Sequence, residues 1–189
     1  MFDWIPVYAT DIPIVDEQHQ KLFQMISQLA AKMESGDMST NSLEQSMDDL
    51  LEYAYQHFVD EERYMARLEV DDRHQKLQRM QHHAFIYDVK KMRSSWDDTT
   101  PIQNFDNLLR FVTSWLVYHT LRTDIHLGLQ VEAIKEGKSS EKAYLHALSQ
   151  PLDYRIYEKV IEALVHLWTD ALEQVKGYEE QIELERNAA

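Results

Sequence analysis

An all-α fold, an antiparallel four-helix bundle followed by a C-terminal coiled-coil helix, is what this sequence predicts. Three observations carry that expectation. Four Gly and four Pro in 189 residues cannot supply the turn that a sandwich or barrel needs about every 8–12 residues. A hydrophobic share of 44% suffices for a packed core. Four successive segments, each roughly twenty residues long, place apolar side chains one helical turn apart.

Residues 1–15, with Trp4, Pro6 and Pro13, read as an N-terminal arm. Helical spacing starts near Asp16, a candidate N-cap, continues through Leu22, Ile26, Leu29 and Met33, and stops at Gly36. A second helix follows residues 39–42 and runs to about Leu68, with Met47, Leu50, Leu51, Ala54, Phe58 and Met65 inward. The segment Val70-Asp71-Asp72 breaks it. The third helix covers roughly 72–95 and puts Leu77, Phe85, Ile86 and Val89 on its core stripe. A polar turn at 97–100 leads to Pro101, suited to the first turn of helix four, which uses Phe105, Leu108, Leu109, Val112, Trp115 and Leu116 and frays toward Gly128. These four helices form the first expected domain, 1–133.

The second, 134–189, is a connector and linker helix. Residues 135–153 hold a turn, a short helix and Pro151. From Tyr157 the apolar positions Ile161, Leu164, Trp168, Ala171, Val175, Tyr178 and Ile182 follow at alternating spacings of four and three, the pattern of a coiled-coil seam. Val160, Val165, Leu167 and Leu172 broaden the first half, as a helix packed on its own bundle would require. The coiled-coil reading predicts a homodimer through residues 157–182.

Charge narrows the partners. Nineteen basic against 33 acidic residues leave a net charge of −14, which repels phosphate backbones and anionic lipid, so neither nucleic acid nor a membrane surface is expected. No apolar run is long enough to span a bilayer and the N-terminus lacks a signal-peptide pattern, which points to the cytoplasm. Without Cys, thiolate catalysis, disulfides and Cys-held metal are excluded. Any metal must be held by His and carboxylates.

The nine His make that question concrete. His19 shares the core stripe of the first helix with Leu22, Ile26 and Leu29. His57 and Glu61, four apart, lie on one face of the second. His82 lies with Phe85 and Val89 on the third, and His119 follows Trp115 by one turn on the fourth. Asp124 stands five after His119, about 140° around an ideal helix, so it joins them only if the helix distorts there. Singly, each His is unremarkable as a core or surface residue. One inward His on each of four helices, with two carboxylates, would be costly to bury without a cation. The other five, His74, His83, His126, His146 and His166, read as solvated or helix-surface residues.

These residues resemble a known family. Val15-Asp16-Glu17-Gln18-His19-Gln20-Lys21-Leu22-Phe23, His57-Phe58-Val59-Asp60-Glu61-Glu62, His82-His83-Ala84-Phe85 and Trp115 through His119 to Asp124, with Trp4 in the arm, are similar to the motifs of the bacterial hemerythrins over about residues 1–130. The resemblance implies two non-haem irons bridged by Glu61, Asp124 and a solvent oxygen (oxo or hydroxo). His19 and His57 would cap the iron open to O2 or small anions, and His82 and His119 the other. The family's fifth His falls at Gln78. Its amide oxygen would be a weak ligand, or the side chain would withdraw and leave a more exchangeable, more easily oxidised iron. The ending Glu183-Leu184-Glu185-Arg186-Asn187-Ala188-Ala189 is similar to the linker before the output domain of bacterial diguanylate cyclases. The leading expectation is therefore an O2- or redox-sensing di-iron domain, not itself an enzyme, that signals through its C-terminal helix to a cyclase producing c-di-GMP. The alternative is a free-standing O2-binding or iron-handling protein. A di-iron oxidase fits less well, since the Glu-x-x-His pairs of that class would need Glu at 79 and 116, where Arg79 and Leu116 stand. A purely structural helical dimer is the remaining reading.

Overall fold

The computed structural model describes residues 4–35, 39–96 and 101–151, and beyond them 156, 158, 159, 161, 162 and 165. After a short 3-10 turn at Pro6–Tyr8 come α1 (Pro13–Ser35), α2 (Thr40–Arg67), α3 (Asp72–Ser94) and α4 (Pro101–His119). A π-helical turn at Thr120–Asp124 joins α4 to α5 (Ile125–Lys135), and α6 (Ser140–Ser149) follows. No strand occurs among the described residues, and no helix there is long and apolar enough to cross a membrane.

Cross-helix pairs set the direction of each neighbour. Gln18 meets Asp60 near one end of the α1/α2 pair, and Lys32 meets Ser46 near the other, so the two run antiparallel. Gln78 with Glu61, and Arg93 with Asp48, show the same for α2 and α3. His82 with His119, and Phe85 with Trp115, show it for α3 and α4. The expected four-helix bundle is present.

Two apolar clusters fill it. The larger runs through Leu22, Ile26, Met47, Leu50, Phe58, Phe85, Leu108 and Val112. The smaller joins Ile12, Val15, Met65, Val70, Leu127 and Val131 at the opposite end. On α1 and α2 the polar residues of the site have members of the larger cluster on one side and of the smaller on the other, so hydrocarbon flanks the site at both ends.

Several local expectations are corrected. Asp16 is not the N-cap of α1, which begins at Pro13, a residue suited to a first turn because its missing N–H would have no helical partner. The Asp16 carboxylate instead accepts hydrogen bonds from the Thr10 backbone N–H (2.7 Å) and hydroxyl (2.8 Å), tying the arm to the helix. Leu77 is not on the core stripe of α3 and is 40% exposed. The inward positions are His74, Gln78, His82, Phe85 and Val89, a stripe whose first half is polar. Nor does the chain fray toward Gly128, since α5 runs on to Lys135. Gly128 serves contact rather than termination, because a Cβ there would run into the carbonyl of Thr10.

That contact has a testable sign. In an unconstrained helix Gly→Ala stabilises by about 1 kcal/mol. Gly128→Ala should instead destabilise by roughly 1–3 kcal/mol, because the arm must shift to make room. Thermal unfolding that rises in the variant would show that the arm does not rest on α5.

Gly137, at φ +90°, turns the chain so that α6 folds back on α5. Ser139 caps α6 by accepting from the Lys142 N–H, and Ser140 donates to the Glu69 carbonyl. Ala143 and Ala147 are buried on its inner face. Further on, Ile156 is buried in the larger cluster, whereas Ile161 and Val165 are exposed. The stop at Gly36, the turn at 97–100, and the heptad positions Tyr157, Leu164, Trp168, Ala171, Val175, Tyr178 and Ile182 lie outside the described residues.

Candidate metal centre

The four helices deliver their polar residues to one level of the bundle. His19 comes from the second turn of α1, His57 and Glu61 from one face of α2, and Gln78 and His82 from one face of α3. His119 ends α4 and Asp124 ends the π-helical turn. None of the seven is more than 1% exposed. The wide turn resolves the spacing of His119 and Asp124. The N–H of Ile125 bonds the carbonyl of Thr120, five residues back, so five residues complete about one turn and return Asp124 to the face of His119.

The geometry is that of two paired half-sites. His19 Nε2 and His57 Nε2 are 3.1 Å apart, as are His82 Nε2 and His119 Nε2. Asp124 spans the pairs, with Oδ2 at 3.3 Å from His19 Nε2 and Oδ1 at 3.2 Å from His119 Nε2. Glu61 spans them too, its Oε2 lying 3.5 Å from both His57 Nε2 and His82 Nε2. Two sets of ligand atoms, His19–His57–Glu61 and Glu61–His82–His119, each converge within 4.8 Å and share Glu61.

Three residues that sequence reasoning missed orient the rings. His57 Nδ1 meets Gln18 Oε1 at 3.0 Å, His82 Nδ1 meets Glu62 Oε1 at 2.9 Å, and His119 Nδ1 meets Gln81 Oε1 at 2.9 Å. Each partner oxygen is an acceptor, so each ring donates from Nδ1 and turns Nε2 inward, the arrangement that metal-ligating imidazoles use. The signal was adjacency. Gln18, Glu62 and Gln81 each stand next in sequence to a site residue and serve the imidazole on the following helix.

This donor set fits metal ions. His82 and His119 both donate from Nδ1, so their two Nε2 acceptors 3.1 Å apart need a positive charge between them, and two buried carboxylates need more. The surroundings favour the charged form of one ring in each pair. Burial alone would lower His19 and His82, yet Asp124 beside His19, and Glu61 with Glu62 beside His82, hold both above the ordinary imidazole value. Their partners go the other way: burial, reinforced by His19, pushes His57 well down, and burial takes His119 to about 3. Burial would raise Asp124, but the surrounding imidazoles, led by His119 and His19, lower it, while burial and the Asp124 charge raise Glu61. Glu61 Oε1 is still buried without a hydrogen-bond partner, and Asp124 Oδ2 has only the long approach of His19 Nε2 at 3.3 Å. Cations among the four nitrogens would meet both.

Residues 10–128 match the profile of the Hemerythrin HHE cation binding domain. The chain belongs to the hemerythrin family. A bacteriohemerythrin of Clostridium acetobutylicum is 28% identical over 129 residues, covering 66% of this chain and 96% of the relative. No solved structure matches the chain significantly.

Gln78, where the resemblance expects a fifth imidazole, is held among the site's carboxylates. Its amide nitrogen donates to Glu61 Oε2 (3.0 Å) and to Asp124 Oδ1 (2.8 Å), clamping the two carboxylates, and its Oε1 is buried without a partner.

Of the four described His expected at the surface, two are buried, and His166 lies outside the described residues. His74 is 2% exposed and His126 8%, because α6 packs over the outer side of α3 and α5 where both stand. Burial lowers His74 to about 4. Between pH 6.5 and 4 the unfolded chain therefore binds a proton that the folded chain does not, so stability falls as the pH drops through that window. The loss is about 1.4 kcal/mol per pH unit, roughly 3 kcal/mol in all. His74→Phe should remove that part of the acid sensitivity. Denaturant unfolding at pH 6.5 and 4 checks it, and a parallel pH profile in parent and variant would contradict it.

Proposed function

We propose that this chain is a non-haem di-iron domain that binds O2 or small anions, and that it serves as a sensor. The observation that carries the reading is the pair of half-sites: four inward Nε2 atoms, three anchored through Nδ1, spanned by Glu61 and Asp124. Imidazole with bridging carboxylate suits iron, and the family binds O2 at non-haem iron. His19 and His57 would hold one ion, His82 and His119 the other, with Glu61 and Asp124 between them. Bound there, the irons would supply reversible redox and ligand-binding chemistry.

The protein's own part is access and exclusion. A cleft of about 270 Å³ between α1 and α2 reaches Glu61, lined by Ile14, Val15, Gln18 and Tyr64 with Arg63 and Arg67. Its lining includes Gln18, the partner of His57 Nδ1, which favours the His19–His57 half as the one open to ligands. The two apolar clusters exclude water from the two ends of the site along the bundle.

Iron quantitation with absorption spectra before and after dithionite and air tests this. Two irons per chain and a visible spectrum that dithionite bleaches and air restores are expected. A chain that holds fewer irons, or shows no air-dependent change, would overturn it.

The sensor reading rests on sequence beyond the family match, namely the heptad pattern from 157 to 182 and the cyclase-linker ending at 183–189. A homodimer through that helix, reporting to a diguanylate cyclase output in the cytoplasm, is the form we propose. Sedimentation decides between this and a free-standing O2-binding or iron-handling protein, since a monomer at tens of micromolar would favour the latter.

A further inference from the structure

A second polar cavity lies outside the metal centre. It occupies about 150 Å³ among α3, the π-helical turn, α5 and α6, and its lining includes His74, Gln81, Arg122, His126, Gln130 and Tyr144. Two of these leave a buried polar atom without a partner. His74 Nε2 has none, and neither has Gln130 Oε1, in residues that are 2% and 1% exposed. The Gln130 amide nitrogen is committed to the His126 carbonyl at 3.1 Å, which fixes the side chain and leaves its oxygen in need of a donor. Arg122 is exposed and places Nη1 3.0 Å from the ring nitrogens of His126. The nearby Arg73 guanidinium, 4.3 Å over the Tyr144 ring, is paired with Asp71, and Arg122 is the lining residue with a guanidinium, which faces no carboxylate among the described ion pairs.

We propose that this cavity binds a small organic carboxylate bearing a hydroxyl group, with Arg122 holding the carboxylate and the buried atoms of Gln130 and His74 meeting the hydroxyl. The size excludes larger ligands, since pockets for drug-sized molecules start at roughly 300 Å³. The chemistry excludes a simple apolar occupant, which would leave two buried polar atoms unsatisfied. A hydroxyl donates its one hydrogen to Gln130 Oε1, as that oxygen requires, and accepts from His74 in the tautomer that carries its proton on Nε2.

The position gives such a ligand two points of leverage. Gln81 lines the cavity and also accepts from His119 Nδ1 and from the Thr123 hydroxyl (2.8 Å), so an occupant touches the shell of the metal centre. Tyr144 and Ala147 bring in α6, which lies beyond the family match and leads toward the C-terminal segment.

Calorimetric titration of the purified, metal-containing chain with glycolate tests the proposal, with acetate and acetamide as comparison probes. Saturable 1:1 binding of glycolate is expected, weaker for acetate, which lacks the hydroxyl, and weakest for acetamide, which also lacks the charge. Arg122→Gln and Gln130→Leu should each weaken glycolate about tenfold or more. Arg122 is exposed, so its variant keeps the fold even where the buried Gln130 variant does not. Absence of saturable binding would overturn the proposal. So would an affinity unchanged in Arg122→Gln, which would assign glycolate to the metal centre instead. The titration reads out whichever metal the centre holds, so its failure is separate from failure of the di-iron reading.

Discussion

Glu61→Ala should take the chain from two bound metal ions to essentially none. Its Oε2 lies 3.5 Å from both His57 Nε2 and His82 Nε2, so it is common to both ligand sets, and Asp124 spans the two pairs beside it. Removing it withdraws an anionic ligand from each half and leaves two imidazole pairs facing each other with less charge to hold a cation. Metal binding and folding are coupled, so thermal stability should fall with the metal content. Glu62→Gln is the informative contrast. Glu62 touches only the outer nitrogen of His82, so its loss should weaken metal binding by about 10–100-fold without emptying the other half. Metal analysis and absorption spectra read both variants. Two ions and an unchanged spectrum in Glu61→Ala would remove Glu61 from the bridge.

Gln78→Leu should affect the metal-free and metal-bound forms very differently. In the metal-free chain the amide donates to both buried carboxylates, and hydrogen bonds to charged groups contribute roughly 1.5–3 kcal/mol each. Their joint loss should cost about 3–6 kcal/mol in chelator-stripped protein. With cations holding Glu61 and Asp124, the same substitution should cost no more than about 1 kcal/mol, because the carboxylates keep their counter-charge. Denaturant unfolding with and without metal measures both. Equal losses would mean that the amide, not a cation, organises the carboxylates. Gln78→His places a ring one turn before His82 and should slow air oxidation of the iron. An unchanged oxidation rate would show that position 78 does not reach the metal.

Much of the centre was legible in advance because its ligands obey local rules. His57 and Glu61 share a face by their spacing of four, and His19, His82 and His119 sit on stripes that the apolar pattern marks. The gaps have particular causes. Leu77 was placed inward because apolar residues define a stripe, but the inward face of α3 there is His74 and Gln78, and periodicity cannot recognise a core face made of polar residues. Gln18, Glu62 and Gln81 went unnoticed because each acts on a ring of the neighbouring helix, a relation that no spacing within one helix encodes. Gly128 looked like a helix end because Gly often is one, and only the approach of the Thr10 carbonyl shows why a Cβ is excluded.

By itself, the sequence determined the helical class, the four faces that carry the candidate ligands and the requirement that Asp124 needs a distorted turn to join them. Helical periodicity is a property of consecutive residues, and burying several imidazoles and carboxylates has a cost that composition alone exposes. Tertiary structure decided the rest. It formed the π-helical turn that closes the pairing of His119 with Asp124, aimed the Gln78 amide at two carboxylates from different helices, and covered His74 and His126 with α6. Each of these depends on which surfaces meet, and contacts between distant segments are set by packing rather than by the local pattern of any one of them.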